Sequence, residues 1–535
     1  MTPPKHASLA KLALLLSLLF ASCAAPEATV GLVPVRILAD GEAVEAFVPS
    51  GSSVQEALLA ARLDLRELDK VDPAGFTVVA PGTVIRVTRV EERFVIEEVV
   101  LPFERQTIRN ESLPEGETRL LQPGKNGLEE ITYRIVLQES VEVSRQAVKT
   151  LVVSEPVPEI VMIGAQPSYA PSSIEGTLAY VNGGNAWVMR IDTGNRRPLV
   201  LSADLDGRVF RLSPDGKFLL FSRAAPHGST HINALWYVST TDTPSVASPL
   251  GVQNVIHFAD WSPATPSSSS ANYILAYSTV EPSPAAPGWQ ANNDLAEITL
   301  SPAGTILRRR SLITGNAGGQ YGWWGTAFAW APDGEHLAFA RPDSLGTVEL
   351  RDPGFAALHE ITPFQTLGDW AWTPGLSWGL DGRTLFAVDH GPPIALEQDS
   401  ASPVFHLAAL TSGEETPLIL AERVGMFASP VVSPLLSLPK PELGYRIAYL
   451  QALAPLESDQ SGYRLALMDR DGSNRVLLFP PEGEPGIQPQ SVAWSPEGER
   501  LAVVYRGDLY LVDPATAVAQ RITGDGQTTA YDWKR

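Results

Sequence analysis

Residues 491–504 read SVAWSPEGERLAVV, two stretches of alternating apolar and polar residues around a Pro-Glu-Gly turn. Variants recur upstream as VFRLSPDGKFLLFS (209–222), HFADWSPA (257–264), AFAWAPDGEHLAFA (327–340) and GLSWGLDGRTLFAV (375–388). The glycine after an acidic residue supplies the backbone freedom for a tight reversal, and the alternation leaves one face of each strand apolar. One such hairpin cannot bury that face alone, so the copies must stack on one another.

The residue before each turn marks the register: Leu212, Trp261, Trp330, Trp378, Val432, Trp494 and Trp533. Neighbouring markers stand between 39 residues (494 to 533) and 69 residues (261 to 330) apart, room for four strands and loops of unequal length. Third strands follow, such as NALWYVSTTD (233–242) and YRLALMDRDG (463–472), and short fourth strands such as VLLF (476–479). The pattern resembles the WD40-like propeller blades of the TolB type, whose turn reads W-S-P-D-G, over roughly residues 175–535. The resemblance implies a mainly β chain whose larger part is a β-propeller. GTLAYVNGGNAWVMRIDTGNRRPLV (176–200) offers strands two to four of a blade without the first, and TTAYDWKR (528–535) offers only a first strand. Joined, they predict a seven-bladed propeller closed by pairing of its first and last strands, with no open sheet edge. A six-bladed ring stays open as the alternative, because the fifth copy (427–450) carries a Pro/Leu segment where the turn should be.

The first residues, MTPPKHASLAKLALLLSLLFASCAAPEA, hold two lysines, an apolar run from Leu12 to Phe20, small residues and then Cys23. Such a run is an export signal, too short to remain as a membrane helix. Cys23 is the only cysteine, which excludes an intrachain disulfide and a cysteine-based zinc cluster. Phe20-Ala21-Ser22-Cys23 resembles the bacterial lipoprotein box, with Phe20 where leucine is usual. That resemblance implies a signal peptide over 1–22 and a lipidated tether over 23–32. The protein is then exported and held by lipid on the outer face of the bacterial cell membrane or cell envelope.

Residues 33–90 read as a small α+β module: two strands around Asp40-Gly41, a short helix from Val54 to Ala61, and a strand from Thr83 to Val90. It resembles the small domain that precedes G5 domains in some Gram-positive cell-wall proteins. Residues 91–164 resemble a G5 domain through Pro114, Gly116, Glu117, Gly124 and Gly127, with Gly164 at the end. The hairpin glycine often found later is replaced by Gln138, Glu139 and Ser140. Long alternation with few aromatics predicts a thin, extended sheet wetted on both sides. A linker at 165–175 then leads to the propeller at 176–535.

Without its first 22 residues the chain has 38 basic against 60 acidic residues, a net charge near −22. Nucleic acid and anionic surfaces repel such a body as a whole. No G-x-S-x-G elbow, H-E-x-x-H or Gly-rich phosphate loop occurs, so the sequence implies no cofactor and no catalytic residue. Asp471-Gly472 reads as a hairpin turn, since the later acidic ligands of a calcium loop are missing. His227 and His231 are four apart, but Pro226 and Gly228 place them in a loop, where the spacing implies no metal site.

In a propeller, loops joining strands two and three share a face with loops between blades, while the W-S-P-D-G turns lie on the other. The long insertions all belong to the first set: 225–232, 281–294, 314–326, 363–375 and 390–402. They carry Trp289, Tyr321, Trp323, Trp324, Trp370 and Trp372, together with Asp294, Asp369, His227, His231 and His390. Large flat side chains among glycines suit sugar rings or extended peptides, and they equally suit a core capped by long loops. Trp323 and Trp324 are adjacent, so in an extended segment only one can point inward.

Two functions follow as expectations. One is a non-catalytic cell-surface binding module for envelope or extracellular polysaccharide, or for an envelope protein. The other is a polysaccharide hydrolase or lyase on the insertion-rich face, drawing on His227, His231, Asp294, His390 and Glu397. An enzyme must bring at least two of these groups together near Trp323 or Trp370.

Overall fold

The computed structural model describes residues 31–535 except 111–112, 114–115, 165–169, 265–271, 397, 412–415 and 436–443. The signal peptide, Cys23, Pro114 and Glu397 lie outside the described residues. The chain is mainly β, and among the described residues no helix is long and apolar enough to cross a membrane. It divides into two compact units, residues up to 108 with 118–162, and 109–117 with 163–535.

The first unit opens with a four-stranded sheet. Leu32–Ala39 lies between Glu42–Pro49 and the parallel strand Val84–Thr88, and Lys70–Asp72 adds an outer strand absent from the sequence reading. The helix Val54–Ala60 starts on a capping box: the Glu56 N–H donates to Ser53 Oγ while Glu56 accepts from the Ser53 N–H. Its apolar side packs Val54, Ala57 and Leu58 against Val35, Ile37, Val48 and Ile85, leaving the sheet's other face bare.

Two further sheets follow: Val90–Leu101, Gly127–Gln138 and Val141–Ser154 in one, Arg105–Asn110, Glu159–Gly164 and Thr118–Gln122 in the other. All 14 residues of Val141–Ser154 are exposed, as expected of a thin sheet. The hairpin without glycine still turns left-handed, with φ 49° at Glu139 and 66° at Ser140. Arg89 holds it, since its N–H donates to Glu139 Oε1 and its carbonyl accepts from the Glu139 N–H. The Arg89 guanidinium also grips Asp40 and Asp69 at 2.8 and 2.6 Å, which ties this hairpin to the first sheet.

In the second unit six four-stranded antiparallel sheets follow one another over 205–253, 259–313, 327–360, 376–421, 431–479 and 493–521. A three-stranded sheet joins the two ends of the region: Ser173–Asn182 pairs on one side with Asn185–Val200 and on the other with Thr528–Lys534. Leu178 stands opposite Trp533. The expected third and fourth strands of 176–200 are one continuous strand of 16 residues.

Serine explains the S-P-D-G turn. Ser495 Oγ accepts from the Arg500 N–H while the backbone pairs Ser495 with Arg500 and Gly498 with Ser495; Ser213 does the same with Phe218 and Gly216. Gly216 and Gly498 have φ of 66° and 74°, a region that a side chain disfavours. The fifth copy keeps this chemistry: Ser433 Oγ accepts from the Arg446 N–H, and the Ser433 N–H donates to the Arg446 carbonyl. Its turn is lengthened, and the serine survives in VVSP; the sequence reading took it as replaced.

Four marker tryptophans link their sheets to the preceding one, while Trp533 donates to the Glu175 carbonyl within its own sheet. The indole N–H of Trp261 donates to the Arg211 carbonyl, Trp330 to Asp260, Trp378 to Ala329 and Trp494 to Val431. Where the fifth marker is Val432, its N–H meets Ser377 Oγ. Tyr531 donates to the Ser491 carbonyl at 2.8 Å, and Asp532 accepts from the N–H of Leu212 at 2.8 Å. These bonds run between the first strands of successive sheets, or, at Ser491, the residues just before one.

Candidate functional site

The insertions form two clusters. In one, 278–294 and 314–326 are knitted by Asn293, whose side chain donates to the Gly322 carbonyl and accepts from Thr326 Oγ1. Residues Gly322–Trp324 form a 3-10 turn, which corrects the extended reading: Trp323 and Trp324 are both half-buried, as is Tyr321. Trp289 lies in a small hairpin, Val280–Pro282 with Trp289–Ala291, and sets its ring edge-on against His257 with centroids 4.7 Å apart.

His257, weighed on the sequence with His227 and His231 as a metal ligand and set aside, is the most closely confined of the three. Gly325, at φ 89°, closes over its ring so tightly that a Cβ there would stand 2.5 Å from Nε2. Nε2 is buried without a hydrogen-bond partner. Burial first, and the Arg208 charge second, push the imidazole down to about 4, so it is neutral at physiological pH. Nothing in the spacing of HFADW marked this environment, because Gly325 arrives from 68 positions further on (257 to 325).

The second cluster packs 361–375 against 391–404 and 422–430. Trp372 is 2% exposed, donates its indole N–H to the Met426 carbonyl, and meets Phe405 at 4.9 Å. His390 stacks on Phe405, with Nδ1 facing the Thr362 carbonyl at 2.7 Å and Nε2 the Ser402 carbonyl at 2.8 Å. Trp372 and His390 were expected on the ligand face; both are core groups that pin loops. Trp370, two residues away, is 38% exposed and leans over Phe427, and Asp369 beside it is exposed.

The remaining candidates do not converge. Asp294 spends one carboxylate oxygen on the Thr279 N–H and the other on Thr279 Oγ1, both at 2.7 Å, so it braces its own loop. His227 is exposed and His231 half-buried on the separate 225–232 excursion. Asp389 lies 3.1 Å from His359 Nε2. Among the described residues no group of three His, Cys, Asp or Glu is placed to hold a metal. Two half-exposed aromatic patches are what the insertions present.

At the turn ends of the first strands lies an opening of about 460 Å³, lined by Arg211, Asp260, Ser377, Trp494, Tyr531 and Asp532 among others. Enclosure raises the Asp260 carboxyl above its ordinary value, with Arg211 and Lys534 working against the rise. Asp532 is held by two backbone N–H groups, those of Leu212 and Trp533.

Residues 92–166 match the family model of the G5 domain. This segment is a G5 domain. A curated relative, resuscitation-promoting factor RpfB of Mycolicibacterium smegmatis, is 30% identical over 161 residues, 29% of this chain. The chain spans 44% of the length of that relative. Among solved structures, the G5 domain of IgA1 protease is 31% identical and matches 15% of this chain and 94% of its own, with a TM-score of 0.13. The periplasmic gluconolactonase of Pseudomonas aeruginosa is 12% identical and matches 66% of this chain and 95% of its own, with a TM-score of 0.40.

Proposed function

We propose that this protein is an envelope lipoprotein, anchored through Cys23, whose seven-bladed ring binds a cell-envelope glycan or an envelope protein without performing chemistry on it. The G5 domain supports a role in binding at the cell envelope. Pairing of Leu178 with Trp533 and the bonds between successive first strands support seven blades closed on themselves. The observation that carries the binding reading is the aromatic rim: Trp370 stands 38% exposed over Phe427, and Trp289, Trp323 and Trp324 form a second half-exposed patch. Asp294 and His390, two of the ionisable groups an enzyme would draw on, are spent on holding loops.

The test is a glycan array and a peptidoglycan pull-down with the wild type, Trp370→Ala and Trp289→Ala. Retention that falls about tenfold in either variant, at unchanged folding, supports a platform for rings or extended chains. Retention unchanged in both, or turnover of a retained polysaccharide, overturns this reading.

A further inference from the structure

The first module leaves one sheet face without a cover. Its helix and core lie on the other side, and the outward positions of three neighbouring strands put Leu32, Pro34, Phe47 and Val84 side by side: Pro34 stands opposite Phe47, and Arg36 opposite Val84. Leu32 is 63%, Phe47 60% and Val84 48% exposed. A patch of this kind on a small module marks a surface that meets something apolar.

Charge sits beside the patch. Arg36 and Arg86 line, from the same face, a shallow depression of about 460 Å³. Among the described residues neither guanidinium has an ion-pair or hydrogen-bond partner, as with Arg62, Arg93 and Arg119, while Arg66, Arg89, Arg105, Arg134 and Arg145 of the same unit are paired. The face itself carries Arg36, Arg86 and Lys70 against Glu45 and Asp72, and Asp40, Glu42 and Glu139 line the far side of the same depression, on a chain of formal net charge −20. Apolar groups ringed by free arginines suit the boundary between acyl chains and phosphate headgroups.

The chain's path names the occupant. Eight residues separate Cys23 from Leu32, a tether that spans at most about 30 Å even when fully extended. The strand that starts at Leu32 is the one that carries the patch. We infer that the bare face of this module rests on an anionic phospholipid bilayer, with Leu32, Phe47 and Val84 at the acyl boundary and Arg36 and Arg86 on lipid phosphates. The inference rests on the anchoring of Cys23, and it makes the lipid one of two contacts with the membrane.

Two arms test it. The exported chain with Cys23→Ala, which cannot be acylated, is sedimented with vesicles of equal parts phosphatidylcholine and phosphatidylglycerol, and with phosphatidylcholine alone. Binding to the mixed vesicles is expected to drop about tenfold in Phe47→Gln, and the preference for the anionic lipid is expected to vanish in Arg36→Gln/Arg86→Gln. Displacement by millimolar glycerol phosphate with Phe47 immaterial would mark a soluble-phosphate site and overturn the bilayer. In the acylated chain on the same vesicles, a bimane on Pro49→Cys, the sole free thiol, is expected to shift to the blue and be quenched by brominated lipid. One on Leu59→Cys, on the helix side, is expected to stay wet. Equal solvent exposure at both positions refutes the docked face. The mass of the purified native chain reports acylation separately, so loss of the anchor and loss of the face are told apart.

Discussion

His257 shows how much one side chain can demand of its surroundings. Its folded pKa of about 4 lies below the ordinary 6.5 because burial disfavours the charged ring. Between those values the unfolded chain binds the extra proton and the folded one does not, so stability falls as pH drops through that window and the loss is complete below it. The penalty is on the order of 3 kcal/mol. All 12 tryptophans lie between 187 and 533, so their fluorescence reports the second unit alone. The urea midpoint of that signal should fall more steeply from pH 7 to pH 4.5 in the wild type than in His257→Gln; parallel slopes would show that the ring is not held neutral. Trp378→Phe makes a complementary measurement. It keeps the ring and removes the donor to the Ala329 carbonyl, at a cost of about 1 kcal/mol in the same transition.

At the scale of strands and loops, the repeat was legible because alternation and turn chemistry are local. WSP at 494–496 announces a strand end, and Ser495 makes the bonds that the motif needs. What alternation could not convey was the destination of the four linking indole N–H groups, since each acceptor belongs to a preceding sheet at least 49 positions away, as with Trp378 and Ala329. Nor could WAW at 370–372 reveal which tryptophan faces inward, because that depends on the path of 361–375 over Phe405 and Met426. The difference has measurable weight. Trp372→Ala should lower the stability of the second unit by about 3–5 kcal/mol, the range for removing a fully buried large aromatic. Trp370→Ala should change it by less than about 1 kcal/mol while reducing retention on the glycan or peptide ligand. Near-equal denaturation midpoints for the two variants would mean that the loop does not use Trp372 as its anchor.

For the molecule as a whole, the decisive element is one strand of seven residues. Thr528–Lys534 covers the edge of Ser173–Asn182 from Thr177 to Asn182, and through Asp532 it also holds the Leu212 N–H of the next sheet. Without it two first-strand links are lost together and an apolar strand edge containing Leu178 and Tyr180 is bared; in the proposed ring the sheets are then left as an open stack. Sheets that each bury their faces on two neighbours lose cooperativity when the stack gains two ends. A chain stopping after Gln527 should therefore lose its sharp tryptophan-fluorescence transition and self-associate. Adding the peptide TTAYDWKR in excess should restore the transition by supplying the missing strand, whereas a peptide with Asp532→Ala should restore it poorly because two buried N–H groups go unpaired, at roughly 1–3 kcal/mol each. A truncated chain that unfolds as sharply as the full one, at the same midpoint, would mean that the larger unit holds together without joining its ends.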